Sequence, residues 1–248
     1  MSEISAASII HRANEKEYIT GYWQKRSAGF ANLRKAELHS EKQLLWQQEI
    51  TRHLPQNRSL KILDIGCGAG FFGILLGQKN RVTGIDLTPE MIEAARALAA
   101  ERSNAEFMVM DAEALDFDDA SFDAIISRNV MWNLPHPETA YREWLRVLKP
   151  GGLLLNYDAE YARAHHSQKL PAKNAHADIA PELLDECHNI YHMLDISAYN
   201  RPQWDEEFLQ STGLCGVSTD TTVGSRIYAA EDIFYIPVPM FCVKAVKL

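Results

Sequence analysis

The chain has 248 residues, of which 46% are hydrophobic and 23% are charged. This composition suits one compact α/β domain with elaborations. The formal net charge of −8 gives no electrostatic reason to bind a polyanion, so we expect no nucleic acid partner. Neither an apolar run of ~18 residues nor a signal-peptide pattern is present, and the four scattered cysteines need no disulfide framework. We therefore expect a cytoplasmic protein with reduced thiols and no membrane partner.

The first 55 residues have a helical pattern. Trp46, Ile50 and Leu54 recur at i, i+4 and i+8, and Pro55 marks the end of the pattern. We interpret residues 1–55 as an N-terminal helical cap that precedes the main domain, residues 56–248.

From residue 56 onward, short apolar strands alternate with helical patterns, which is typical of βαβ units around a parallel sheet. The strands carry little polar alternation, which indicates that helices cover both faces of the sheet. Thr88 is expected to cap the clearest helix, with Pro89 at its first position. Strands are predicted at 60–65, 81–87, 106–110, 122–127 and 152–157, and helices at 88–101 and 138–148.

The regular alternation stops at residue 159. Residues 159–203 are polar and rich in histidine, carry a predicted helix near 181–194, and are too long for a simple connection. We interpret them as an inserted substrate lid. Beyond the insertion we predict a helix at 203–211 and strands at 217–223 and 240–246.

Residues 63–70 read Leu-Asp-Ile-Gly-Cys-Gly-Ala-Gly and join a predicted strand to a predicted helix. Glycines at 66, 68 and 70 let the backbone approach a ligand, and a helix N-terminus offers free N–H groups to a negative group. A dinucleotide fingerprint is excluded, because Phe71 stands where that motif has its third glycine.

This segment resembles the D-x-G-x-G-x-G motif of class I S-adenosylmethionine-dependent methyltransferases. The resemblance extends over residues 60–157. Phe122-Asp123-Ala124 and the run Arg-Val-Leu-Lys-Pro-Gly-Gly at 146–152 are most similar to the ubiquinone and menaquinone biosynthesis methyltransferases. The resemblance implies an α/β fold: a Rossmann-like seven-stranded sheet, mostly parallel with an antiparallel last strand and helices on both faces. It also implies S-adenosylmethionine as methyl donor and S-adenosylhomocysteine as product.

The resemblance also assigns residues to the donor. Asp86, at the end of the second strand, is placed to accept two hydrogen bonds from the ribose hydroxyls. Asp111 would accept from the adenine amine, the Ala112 N–H would face a ring nitrogen, and Arg128 would lie beside the methionine half. The implied donor-binding positions in the motifs are Asp64, Gly66, Cys67, Gly68, Gly70, Asp86, Leu87, Met91, Asp111, Ala112 and Arg128.

Aromatic and cationic residues are concentrated near the N-terminus. In many members of the family that the chain resembles, an N-terminal helix closes over the donor. The resemblance implies that an aromatic residue among Tyr18, Tyr22 and Trp23 covers the sulfonium by cation–π attraction and that Arg26 meets the carboxylate. The alternative is ordinary packing of an amphipathic helix on the sheet.

Transfer of a methyl group requires the donor and the acceptor atom to be held in line, and a base only where the acceptor must lose a proton. Tyr157 and Asp158, at the end of the fifth strand, are favoured by position. The other candidates are histidines of the insertion, which titrate near neutrality: His165, His166, His176, His188 and His192.

Cys187, His188 and His192 would also lie on one helix face as metal ligands. No further ligand pattern completes the set, so no metal is predicted.

We expect an enzyme that methylates a small molecule, as a monomer or a homodimer. One alternative is an RNA or protein methyltransferase, although Ser127-Arg128-Asn129-Val130 stands where exocyclic-amine methylases carry Asn-Pro-Pro-Tyr. The other alternative is a non-catalytic S-adenosylmethionine-binding sensor.

Overall fold

The computed structural model describes residues 6–100, 103–164, 172–235 and 238–248. The predicted start of the N-terminal helices near residue 2, the predicted helix end at residue 101, and the candidates His165 and His166 lie outside these residues.

Two helices precede the sheet, α1 (Ala6–Leu38) and α2 (Lys42–Thr51). The predicted apolar face of α2 is confirmed, because Trp46 and Ile50 are fully buried. The Trp46 ring packs at 5.0 Å from the Phe72 ring and at 5.1 Å from the Tyr157 ring, measured between centroids. These contacts fix α2 against one face of the sheet.

Within the described residues the sheet has seven strands in the order β3-β2-β1-β4-β5-β7-β6. Strands β1 to β5 are mutually parallel, and β7 is antiparallel to its neighbours β5 and β6. The predicted Rossmann-like sheet is confirmed. Its strands are β1 (Lys61–Ile65), β2 (Arg81–Asp86), β3 (Glu106–Val109), β4 (Phe122–Arg128), β5 (Leu148–Ala159), β6 (Cys215–Asp220) and β7 (Met240–Val246).

Helices follow β1, β2 and β4: α3 (Phe71–Leu76), α4 (Pro89–Ala99) and α5 (Pro137–Val147). Thr88 stands at the cap position of α4, but its hydroxyl forms no capping hydrogen bond. A 3₁₀ turn at Met131–Asn133 joins β4 to α5.

Both faces of the sheet are buried. The described buried residues form two core clusters: Leu63 and Ile65 belong to one, and Ile62 belongs to the other. Alternate strand residues point to opposite faces, so β1 contributes to both clusters at once. This double burial accounts for the continuous apolar character of the strands.

The insertion contains α6 (Tyr161–Ala164), α7 (Pro181–Met193) and a 3₁₀ turn at Asp195–Ala198. The predicted helix near 181–194 is confirmed, and α7 packs on α1. Helix α8 (Gln203–Ser211) follows as predicted.

The predicted strand at 217–223 is wrong at its C-terminal end. Strand β6 stops at Asp220, and residues Val223–Ile227 form helix α9. The backbone N–H and the hydroxyl of Thr222 both donate to Asp220 Oδ1, at 2.9 and 2.6 Å. Such a local side-chain turn competes with strand extension and here ends it. No helix of the described residues combines the length and apolarity that a membrane crossing requires.

Candidate functional site

The glycine-rich segment forms a tight loop at the carboxyl end of β1. Gly66 and Gly68 have φ values of 62° and 51°, in the left-handed region that favours glycine. A Cβ at Gly68 would lie 2.8 Å from Cε1 of Phe30, and one at Gly66 would collide with Val130. Glycine is therefore required here both by the backbone conformation and by close neighbours on α1 and in the segment just after β4.

Asp86, at the end of β2, holds this loop. The Gly68 N–H donates to Asp86 Oδ2 at 2.9 Å, and the Thr88 N–H donates to Asp86 Oδ1 at 2.9 Å. Burial raises the pKa of Asp86, although these backbone donors oppose the shift. Each oxygen keeps a lone pair for a ligand, and Asp86 lines the same cavity as Gly66 and Gly68.

Asp64 lies beneath the loop and does not line the cavity. It is buried, and the Gly73 N–H of α3 donates to its Oδ2 at 3.2 Å. Burial raises the pKa of Asp64 to about 7. Asp64 thus ties α3 to β1 and shapes the loop from below, and the expected direct contact with the donor does not fit its position.

Cys67 and Gly70, the other predicted loop residues, also lie outside the cavity lining, whereas Leu87 and Met91 line it. Cys67 is buried, and burial raises the pKa of its thiol well above the usual range. Gly70 precedes α3 with a φ of 80°. Cys67 and Gly70 therefore shape the loop, whereas Leu87 and Met91 form the cavity wall beside Asp86.

At the next strand end, Asp111 and Ala112 line the cavity as predicted. Lys16 of α1 forms ion pairs at this strand end. Its Nζ lies 2.6 Å from Asp111 Oδ2 and 2.6 Å from Oε2 of the neighbouring Glu113. Lys16 is a site residue that the sequence does not predict. It lies 95 residues from Asp111 along the chain, and no spacing rule joins positions so distant.

Arg128, at the end of β4, lines the cavity within a buried cationic cluster of Arg34, Arg128, Glu37 and Tyr228. Glu37 lies 2.6 Å from Arg34 and 3.3 Å from Arg128, and the Tyr228 hydroxyl donates to it at 2.7 Å. Burial opposes ionisation of Glu37, but Arg128 and Arg34 together lower its pKa. Two arginines therefore share one carboxylate, which leaves a surplus positive charge.

The Arg128 guanidinium is held in place by aromatic rings. It lies 4.7 Å from the centroid of the Phe71 ring and 5.0 Å from that of the Trp46 ring. The sequence does not predict Arg34, Glu37 or Tyr228 as site residues, since only the fold brings this α1 pair together with Arg128 and Tyr228.

Helix α1 forms one wall of the cavity. Trp23, Arg26, Phe30 and Arg34 all line it. Tyr18 does not: it is 37% exposed, and its hydroxyl accepts a hydrogen bond from Asn189 at 3.2 Å. The predicted donor-covering role of Tyr18 therefore does not fit its position, whereas Trp23 and Arg26 are well placed to contact a ligand.

Four aromatic residues surround the end of the cavity nearest the insertion. We call Trp23, Trp132, Tyr161 and Tyr191 the aromatic chamber. The ring of Trp132 is central, with centroids 6.4 Å from Trp23, 5.6 Å from Tyr161 and 5.0 Å from Tyr191. His176 of the insertion also lines the cavity.

The predicted bases at the end of β5 lie outside the cavity. Tyr157 is fully buried against Trp46, and burial raises its pKa well above the usual range. Asp158 pairs with Arg201 at 2.8 Å and accepts a hydrogen bond from the backbone N–H of Trp132 at 3.1 Å. The assignment of either residue as a base does not fit this geometry, because both side chains are committed to the interior.

His188 and His192 do not line the cavity either, so among the described candidate bases His176 alone lies on its wall. The same two histidines and Cys187 form no metal site: the described residues contain no group of three or more His, Cys, Asp or Glu that could hold a metal ion.

The cavity and its open mouth together contain about 1330 Å³ of space not filled by protein atoms. It joins the glycine loop, Asp86 and Asp111 to the aromatic chamber. A single ligand-sized space thus runs from the carboxyl ends of the strands to the insertion, where ligands bind in open α/β sheets.

Residues 63–156 match the family model described as a methyltransferase domain. A demethylmenaquinone methyltransferase from Staphylococcus aureus is 31% identical over 149 residues, which are 58% of this chain and 61% of that protein. Over this segment the chain is similar to class I S-adenosylmethionine-dependent methyltransferases. It spans about three fifths of the length of the curated relatives that it matches.

Solved structures agree with this class I methyltransferase fold. An S-adenosylmethionine-dependent methyltransferase from Aquifex aeolicus has a TM-score of 0.57 at 20% identity, covering 88% of this chain and 97% of that one. Phosphoethanolamine N-methyltransferase 2 from Haemonchus contortus, in complex with S-adenosylmethionine, has a TM-score of 0.57 at 19% identity, covering 82% and 52%. At these identities the likeness establishes the fold alone. S-adenosylmethionine is the cofactor of this class of enzyme.

Proposed function

We propose that this protein transfers a methyl group from S-adenosylmethionine to a small-molecule acceptor. The observation that carries the proposal is the single cavity with two different ends. One end has the glycine loop and two strand-end carboxylates, and the other end is the aromatic chamber. A donor and an acceptor held in one cavity meet the main requirement of methyl transfer, which is alignment of two reactants.

The first end suits the donor. The Gly66 and Gly68 backbone lets a ligand approach closely, and Asp86 keeps lone pairs for the two ribose hydroxyls. Asp111 and the Ala112 N–H are placed for the adenine ring at the next strand end. The chain's own groups thus match the sugar and the base.

The methionine half of the donor is assigned to the cationic cluster. Arg34 and Arg128 line the cavity and share only Glu37, and Arg34 Nε is a buried donor with no hydrogen-bond partner among the described residues. A ligand carboxylate would satisfy that donor and neutralise the surplus charge. When bound, S-adenosylmethionine supplies a methyl group activated by the positive sulfonium.

The aromatic chamber is assigned to the acceptor. Its walls come from α1, the turn after β4, and the insertion, and its rings exclude water from the reacting atoms. His176 is the residue we propose as a base where the acceptor must lose a proton. A narrow aromatic enclosure and a net charge of −8 favour a small molecule over RNA or protein. The cap and lid roles of residues 1–55 and 159–203, the cytoplasmic location, and the monomeric or homodimeric state remain predictions.

Calorimetric titration with S-adenosylmethionine and S-adenosylhomocysteine tests the donor site. We expect dissociation constants on the order of 1 μM or tighter for both ligands. A folded sample that binds neither ligand would contradict the proposal.

A turnover assay that detects S-adenosylhomocysteine then separates an enzyme from a sensor. Small nucleophiles bearing O, N, S or acidic C–H groups are supplied as acceptors. Product release with at least one of them is the expected result. Tight donor binding without release across the panel would favour the non-catalytic sensor.

A further inference from the structure

The aromatic chamber contains a cation that the donor does not need. Four cationic side chains line the cavity: Lys16, Arg26, Arg34 and Arg128. Lys16 is paired with Asp111 and Glu113, and Arg34 and Arg128 share Glu37. Among the described residues no Asp or Glu forms an ion pair with Arg26, and Arg26 Nε is a buried donor without a hydrogen-bond partner.

Arg26 faces the insertion. One turn earlier on α1, the Tyr22 hydroxyl lies within hydrogen-bonding reach of both the Arg26 guanidinium and the Cys187 thiol of α7. Cys187 is also close to Tyr191 of the aromatic chamber. Burial raises the pKa of both Tyr22 and Cys187, so neither supplies a negative charge at neutral pH. Neither of these two neighbours therefore pairs Arg26 with a negative charge.

Arg34 stands eight residues further along α1, about 12 Å at the helical rise. Its partners are Glu37 and Tyr228, on the side of β4 and the glycine loop. The two arginines thus face different neighbours at opposite ends of the cavity. The donor has one carboxylate, which the cationic cluster of Arg34 and Arg128 already fits. An anion in the aromatic chamber would pair Arg26, which is partly buried and whose Nε is a buried donor without a hydrogen-bond partner among the described residues.

We propose that the methyl acceptor carries an anionic group, in the simplest case a carboxylate on a planar apolar body, and that Arg26 binds that group. Arg26 is then the residue that selects the acceptor. The planar body would lie against Trp132, and the buried Tyr161 hydroxyl, which also has no hydrogen-bond partner among the described residues, offers a second donor. This inference rests on the proposed function and replaces the role at the donor carboxylate expected for Arg26.

The test uses the full chain saturated with S-adenosylhomocysteine and two probes of nearly equal shape, benzoate and its neutral isostere benzamide. Binding of each probe is followed by ligand-detected NMR titration. Arg26→Gln removes the cation. Lys25→Gln is the matched control, because it removes the same charge from the adjacent residue, whose side chain is 56% exposed and pairs with Glu186.

In the wild type and in Lys25→Gln we expect benzoate to bind about tenfold more tightly than benzamide, as a charge-assisted contact provides. In Arg26→Gln the two probes should bind equally, with the affinity for S-adenosylhomocysteine unchanged. That unchanged affinity also shows that the variant is folded.

Three results would overturn the inference: no preference for benzoate in the wild type, including no binding of either probe; a preference that survives in Arg26→Gln; or a loss of S-adenosylhomocysteine affinity in Arg26→Gln, which would return Arg26 to the donor site. Failure of the wild type to bind S-adenosylhomocysteine would instead contradict the proposed function itself. The two failures are therefore distinguishable.

Discussion

Asp86 connects the glycine loop to the donor, because its oxygens accept the N–H groups of Gly68 and Thr88 and still face the cavity. Asp86→Ala removes the proposed ribose acceptor and loosens the loop at the same time. We expect donor affinity to fall by about 2–3 kcal/mol, measured by calorimetry with S-adenosylhomocysteine. Asp118→Asn, an exposed carboxylate outside the cavity lining, is the control. Equal affinities of the two variants would remove Asp86 from the donor site.

Alanine substitutions at Gly68 and Gly151 distinguish the effect of steric crowding from that of backbone strain. Both have positive φ, 51° and 75°, but a Cβ at Gly151 would meet no atom within 4 Å, whereas one at Gly68 would lie 2.8 Å from Phe30. Alanine at Gly151 should cost about 1 kcal/mol of unfolding free energy through strain alone, and alanine at Gly68 should cost more because its Cβ also displaces Phe30. Only Gly68→Ala should also weaken S-adenosylhomocysteine binding, by tenfold or so. Comparable binding losses in both variants would show that crowding at Phe30 is unimportant.

Asp64 should make stability depend on pH. Burial raises its pKa from 3.8 to about 7, so the folded state takes up a proton that the unfolded state releases. This group therefore favours folding most below about pH 4 and loses that contribution as the pH rises to about 7. Asp64→Asn keeps an acceptor for the Gly73 N–H without titrating. Relative to wild type, the variant should become progressively more stable between these pH values in urea unfolding. A difference independent of pH would contradict the raised pKa.

At the scale of the element, α1 is held at two places. Lys16 joins its first half to Asp111 and Glu113, and the Arg34–Glu37 pair joins its last turns to Arg128. Lys16→Gln should release the first half only. We expect amide hydrogen exchange in residues 15–24 to speed up by up to about tenfold, with little change in residues 30–38. Lys25→Gln serves again as the control, and uniform acceleration along α1 would argue that the helix opens as one unit.

The elements that the sequence predicted are those with a strong local pattern. The strands, the apolar face of α2, and the α7 helix follow from periodicity, and the glycine loop, Asp86 and Asp111 follow from their place at strand ends. Periodicity could not show that Asp220 and Thr222 end β6 in a side-chain turn. It also left open which face of β5 each residue joins, and this is why Tyr157 was placed in the site.

The contacts of α1 were beyond the reach of sequence patterns for a different reason. Lys16 and Glu37 find partners 91 to 191 residues away: Asp111 after β3, Arg128 at the end of β4, and Tyr228 in the C-terminal segment. Only the packing of α1 across the sheet brings these charges together. The donor motifs could be predicted from one segment each, whereas the cationic cluster and the acceptor end needed the assembled fold.

Across the whole molecule, a buried polar network joins the sheet to the insertion and α8. Arg201 donates to Asp158 at 2.8 Å and in a bidentate pair to Asp205 at 2.8 and 2.9 Å. Tyr141 donates to Asp205 at 2.6 Å and accepts from Asn156 at 2.8 Å. Since Asp158 also accepts a hydrogen bond from the backbone N–H of Trp132, this network fixes the position of the aromatic chamber.

Arg201→Met should therefore destabilise the whole protein. The arginine is 3% exposed and both carboxylates are fully buried, so the substitution leaves two negative charges without a cation, at a cost of about 3–5 kcal/mol. Arg226→Met is the matched control. Arg226 also pairs with two acidic residues, Glu49 and Asp220, but it is 35% exposed, and Arg52 pairs with the same two carboxylates.

The control should lose no more than about 1 kcal/mol, because both of its carboxylates keep Arg52 as a partner and Asp220 remains 34% exposed. Urea unfolding followed by circular dichroism and by tryptophan fluorescence measures both variants. Coincident transitions in Arg201→Met would show that the network stabilises the sheet and the insertion together. A fluorescence transition that precedes the loss of secondary structure would show that it stabilises only the aromatic chamber, and a cost no greater than that of Arg226→Met would contradict the role of the network.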